Sequence, residues 1–143
     1  MDKQFVLSVV VVFVVTMLLG MVVHGMLLHD DYQGLAGKVY RTPAEAQGYF
    51  PYMIAAHVTM AIAVTWIYRQ GRSAAPWLGQ GIRFGIALAL LMSVSIYLIY
   101  FAVQPLPSDM VAKQVSLDSI ANVVVGIVTA FMNRGGATAP MRA

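Results

Sequence analysis

The sequence predicts an all-α integral membrane protein, a four-helix bundle with both termini on the cytoplasmic side. Three observations carry this. Of 143 residues, 59% are hydrophobic and 10% charged, whereas a water-soluble domain carries about a quarter charged residues. So few charges cannot clothe a surface in water. Four segments reach the roughly 20 apolar residues that a helix needs to cross hydrocarbon. Lysines and arginines gather in alternate connections, which orients the chain.

The first span covers about 5–28. The apolar run after Met1-Asp2-Lys3-Gln4 lacks the small-x-small end of a secretory signal, so it is read as an uncleaved helix. A non-cytoplasmic loop of about 29–49 follows. Within it, Thr42-Pro43-Ala44-Glu45 reads as a capping box with proline at the first helical position. A short helix is therefore expected there, with a bend near Pro51. The second span covers about 50–68 and is broken off by Gly71 and Pro76; the third covers about 79–103 and stops before Pro105 and Pro107. The fourth covers about 110–132 and ends at Gly135-Gly136, leaving a short tail. In hydrocarbon every backbone polar group must pair within its own segment, so each span is helical.

Orientation follows from the cations. Lys3 precedes the first span, Arg69, Arg72 and Arg83 surround the second loop, and Arg134 and Arg142 follow the fourth span. The first loop sets Lys38 and Arg41 against Asp30, Asp31 and Glu45. The positive-inside rule then puts both termini and the second loop in the cytoplasm. Trp66, Tyr68 and Trp77 mark that boundary; Tyr49, Tyr52 and Tyr100 mark the other.

Polar residues inside spans are costly and face protein rather than lipid. Here they fall at three- and four-residue steps, which keeps them on one helix face. The first span carries Thr16, Gly20 and His24. The second carries His57, Ala61 and Thr65. The third carries Gly81, Gly85, Ala89, Ser93 and Tyr97, and the fourth Gln114, Asp118 and Asn122. Small residues let helices approach closely. By helical rise, His57, Tyr97 and Asp118 lie roughly 10 Å inside the non-cytoplasmic boundary. The expected site is a cluster of His24, His57, Tyr97, Gln114 and Asp118, with Lys113 above it. The cytoplasmic half reads as plain packing, so a ligand is expected from the outer side.

That cluster has several chemical readings. Asp118 can simply hydrogen-bond its neighbours and fix helix packing, or it can take part in a proton or ion relay. His24 and His57 are the candidate axial ligands of a b-type haem. His24, His57 and Asp118 are acceptable metal ligands by type, although their spacing matches no metal motif. His29-Asp30-Asp31 reads as a solvated acidic run. Gly79-x-Gly81-x-x-x-Gly85 lacks the strand and Lys-Ser/Thr of a phosphate loop, so it reads as tight packing. With no cysteine, disulfides, thiolate zinc, iron–sulfur clusters and covalent haem attachment are excluded. No catalytic template is met, and an enzyme is not expected.

The stretches Arg41-Thr-Pro-Ala-Glu-Ala-Gln-Gly-Tyr-Phe-Pro-Tyr, Trp66-Ile-Tyr-Arg-Gln-Gly-Arg, Trp77-Leu-Gly-Gln-Gly-Ile-Arg-Phe-Gly and Tyr100-Phe-Ala-Val-Gln-Pro give the chain a resemblance to small, uncharacterised four-span membrane proteins of proteobacteria. The resemblance implies a bacterial inner (plasma) membrane and no particular activity. The lipid bilayer is one partner, and further membrane subunits or a second copy of the chain are others. A net charge of +3 is too small to suggest nucleic-acid binding. Three functions are compatible with these residues, in descending order. The first is a non-catalytic accessory or assembly subunit of a membrane complex. The second is a small proton or cation transporter or channel. The third is a redox protein that binds haem or quinone.

Overall fold

The structure is a computed structural model that describes residues 2–135, and their regular structure is helical throughout. Four helices are long and apolar enough to cross a membrane: Lys3–Leu27, Phe50–Gly71, Trp77–Val103 and Ser108–Met132. The chain is a multi-pass membrane protein. Large apolar side chains such as Leu7, Val10, Leu18, Leu91 and Ile120 stand uncovered around the bundle. Such a surface would drive aggregation in water and is natural against lipid.

Two of the spans are not uniform. The first is α-helical to Gly20 and widens into a π-helix over Met21–Leu27. The Leu28 N–H reaches back five residues to the Val23 carbonyl at 2.9 Å, the bonding that defines this wider turn. The third span is α-helical over Trp77–Leu88, π-helical over Ala89–Val94 and α-helical again over Ser95–Val103. There Ser95 sends both its N–H and its hydroxyl to the Leu90 carbonyl.

The first connection is more structured than a plain loop. A loop helix, His29–Leu35, follows the first span directly. Gly37 turns the chain with φ +74° and donates its N–H to the Tyr40 carbonyl at 2.8 Å; a side chain there would be strained. The capping box at Thr42 forms and starts the helix Pro43–Gln47. The Glu45 carboxylate accepts from the Thr42 N–H at 2.9 Å and hydroxyl at 2.8 Å. Those bonds hold the Glu45 carboxyl below the ordinary carboxylate value. The chain then breaks at Gly48 and Tyr49, and the second span begins at Phe50.

The spans pack unequally. The third lies along the fourth, the second along the first, and the first joins the fourth. The tightest seam is glycine on glycine. A Cβ on Gly85 would come within 2.6 Å of the Val123 Cα, and one on Gly126 within 2.5 Å of the Gly85 Cα. These two backbones therefore touch directly, as small-residue interfaces permit. Val12, Ala61, Val64, Leu88 and Val125 form the apolar core, with Phe13, Phe84 and Met92 packed on it.

The half that carries the termini is not plain packing. Asn133, 2% exposed, donates through Nδ2 to the Ser8 hydroxyl at 2.7 Å and to the Thr129 carbonyl at 2.8 Å. Gln4 donates to the Met132 carbonyl, and Arg72 to the Asn133 carbonyl. Arg69 pairs with Asp2 and keeps its carboxyl below the ordinary value. Polar side chains thus close this end of the bundle. The fourth-span stripe Gln114, Asp118 and Asn122 continues through Thr129 to Asn133, past an apolar middle at Val125.

Candidate functional site

The site is organised around Asp118, on the uninterrupted fourth helix. Tyr97, on the α-helical turn just beyond the π-helical part of the third span, donates its hydroxyl to Asp118 Oδ2. His24, inside the π-helical turn of the first span, brings Nε2 to 3.3 Å from Asp118 Oδ1. Its other nitrogen, Nδ1, lies 2.9 Å from the Tyr32 hydroxyl. Gln114, one turn above Asp118 and 1% exposed, donates through Nε2 to that same hydroxyl at 2.9 Å. A continuous chain of contacts therefore runs Tyr97, Asp118, His24, Tyr32, Gln114. It ties together the third, fourth and first spans and the loop helix.

Each link has a local cause. The wider π turn places His24 against the fourth span, and π turns recur at functional positions. Tyr32 reaches the bundle because the loop helix starts straight from the end of the first span. It is braced edge-on by His24 at 5.8 Å and by Tyr40 at 5.0 Å between ring centroids. Lys113 anchors the same helix through Asp31, at 2.9 and 3.0 Å. Burial pushes the Tyr32 phenol up to about 12, so it stays a neutral donor and acceptor. One turn deeper, Asn122 donates to Ser93 Oγ at 2.8 Å.

The structure thus brings four of the five expected residues together: His24, Tyr97, Gln114 and Asp118. His57 stands apart. It packs over Gly20, where an added Cβ would lie 3.6 Å from its ring, and its Nδ1 is buried without a hydrogen-bond partner among the described residues. Gln114 Oε1 is likewise unpartnered there. Tyr32 is the member that sequence reasoning missed. Asp31, expected to be solvated, is instead half covered and paired with Lys113; His29 and Asp30 are exposed.

The metal and haem readings meet a geometric obstacle. Both ring nitrogens of His24 are already engaged, by Asp118 and by Tyr32, so neither is free for an iron shared with His57. Among the described residues no three His, Cys, Asp or Glu side chains gather as a metal-ligand set. What the arrangement can do is bind a proton. A carboxylate, an imidazole and two phenols in one chain hold, share and pass protons without any further group. Asp118 is mostly covered, with 16% of its side chain exposed, while His24 is 37% exposed, so His24 is the more open member of the pair. Comparison with known protein families, curated proteins and solved structures gives no match.

Proposed function

We propose that the protein is a small proton- or cation-handling membrane protein in which Asp118 and His24 take up and release the proton. One observation supports this above the rest. Within the spanning part of the bundle, a carboxylate is clasped between a tyrosine donor and a histidine that is itself partly open. Intramembrane carboxylates paired in this way mark proton and ion pathways. Tyr97 keeps Asp118 in place by donating to it in either protonation state of His24. The imidazole, the more exposed member of the pair, exchanges the proton with the outside. The resemblance to small proteobacterial four-span proteins supports a bacterial inner membrane for the chain, and the cation distribution supports the orientation. The termini face the cytoplasm and the site opens toward the outer side.

The test is proton flux into vesicles that hold the purified protein and an internal pH dye. Under an imposed potential the parent is expected to acidify the lumen, and Asp118→Asn to slow this at least about tenfold. An Asp118→Asn protein that moves protons at the parent rate removes the carboxylate from the pathway and ends this reading.

A second reading, an accessory subunit of a membrane complex, draws on a different observation. The second span packs mainly on the first, and Phe50, Tyr52, Met53 and Val58 near its first-loop end are left uncovered. A neighbouring membrane helix would cover this face. Isolation in mild detergent is then expected to bring partner subunits along in fixed ratio; a single species would count against it.

A further inference from the structure

Cations dominate the end of the bundle that carries the termini. Lys3, Arg69, Arg72, Arg83 and Arg134 all lie there, and Asp2 is the one acid beside them among the described residues. Asp2 is already committed to Arg69. Arg83 is the unusual member. It lies within the third span, roughly 9 Å along the helix from Trp77 by helical rise. It is exposed, and no carboxylate or hydrogen-bond acceptor among the described residues pairs with it. An unpaired guanidinium at that depth is costly, and its long stem lets it reach toward the bilayer surface for an anion.

Two adjoining hollows lie at this end of the bundle, and Arg83 lines the second of them. A cavity of about 220 Å³ opens between the second loop and the end of the fourth span, with Tyr68, Arg72, Ser73, Trp77 and Arg134 in its wall. Gln80 shapes it by holding the loop, donating to the Ser73 and Ala75 carbonyls and accepting the Ser73 N–H at 2.8 Å. Pro76 offers the third span no capping side chain, so the first N–H groups of that long helix add positive potential. A groove of about 390 Å³ adjoins this cavity, sharing Tyr68, Ser73 and Gln80 with it and walled by Ile67, Arg83 and Phe84. Tyr68 and Phe84 meet edge to face at 5.3 Å between the second and third spans. A basic cavity thus adjoins a groove in which Arg83 stands beside the apolar Ile67 and Phe84.

We infer that this cavity and groove hold an anionic glycerophospholipid, with the phosphate on Arg72, Arg83 and Arg134 and an acyl chain along Ile67 and Phe84. The chemistry selects for both parts. Basic pockets between spanning helices suit lipid phosphates, and interfacial tryptophan and tyrosine sit at headgroup level. A free phosphate would use the arginines and leave the apolar walls empty.

Native mass spectrometry of the full-length protein in detergent tests this, with dioleoyl phosphatidylglycerol or dioleoyl phosphatidylcholine added in turn. Phosphatidylglycerol is expected to be retained about tenfold or more over phosphatidylcholine. Arg72→Gln/Arg83→Gln should bring it down to the phosphatidylcholine level, while Lys38→Gln, at the other end of the bundle, leaves it unchanged. Millimolar inorganic phosphate should not displace it. Arg83→Gln alone removes a side chain with no partner among the described residues, so it carries the test if the double variant does not fold. Equal retention of the two lipids, unchanged retention in the arginine variants, or displacement by phosphate alone would each overturn the assignment.

Discussion

His24 and Asp118 are separated by 94 residues of chain, yet Nε2 of one stands 3.3 Å from Oδ1 of the other. They come from the first and fourth spans, so this pair joins the beginning of the bundle to its end. Whether it also contributes energy can be measured. A double-mutant cycle with His24→Gln and Asp118→Asn is expected to give a coupling of about 0.5–3 kcal/mol in unfolding free energy. Additive effects would mean that the two side chains are neighbours without an interaction.

Tyr32 should titrate late. Its phenol is raised from an ordinary value of 10.0 to about 12 by burial, so the fold favours the neutral form. That contribution is complete below pH 10 and is lost as pH climbs through about 12. Tyrosinate absorbance of the parent minus that of Tyr32→Phe isolates this residue. A midpoint near 10 would show a solvated ring and a loop helix that does not cover the site. It follows that any response of the protein near neutral pH belongs to other groups than Tyr32.

Two glycines six residues apart, Gly79 and Gly85, should behave in opposite ways. Gly85→Ala drives a methyl to within 2.6 Å of the Val123 backbone, and forcing that seam open is expected to cost about 1–3 kcal/mol. Gly79→Ala meets nothing within 4 Å and should be neutral, or stabilising by up to about 1 kcal/mol from helix propensity. Thermal or denaturant unfolding in detergent compares the two. Equal effects would remove the direct backbone contact between the third and fourth spans.

Asn133→Ala takes away the partner of a fully buried hydroxyl, Ser8. The expected loss is about 1–3 kcal/mol. Adding Ser8→Ala should recover part of it, since the stranded hydroxyl goes too. A double variant as unstable as the sum of both changes would place the energy elsewhere.

The four crossings were legible because an apolar run of this length has few other uses. The capping box at Thr42 was legible because its chemistry is local. Close packing of the third span was legible too, from the spacing of Gly81 and Gly85, but not which helix it meets, because its partner Gly126 carried no special mark. Tyr32 was hidden for a different reason. It lies in a connection, where neither period nor depth says that a ring turns back into the bundle. The π-helical turns were equally hidden, because a run such as Met21–Leu27 is apolar enough for either helix. His57 shares the depth of its expected partners, and depth does not fix helix rotation. Ser8 and Asn133 are 125 residues apart, and a lone serine in a valine-rich run reads as incidental.

The two π-helical turns also divide the site between regular and widened helix. The fourth span is α-helical without a break from Ser108 to Met132, so Asp118 rides on a rigid post. His24 lies within a π turn, and Tyr97 follows one by a single turn of helix. A π turn holds one residue more than an α turn, and reverting it slides that surplus along the helix while the ends stay anchored. One residue of register corresponds to about 100° of rotation about that helix's own axis. Asp118 is thus the member carried on regular helix, while His24 and Tyr97 face it from beside or within a widened turn that holds one residue more.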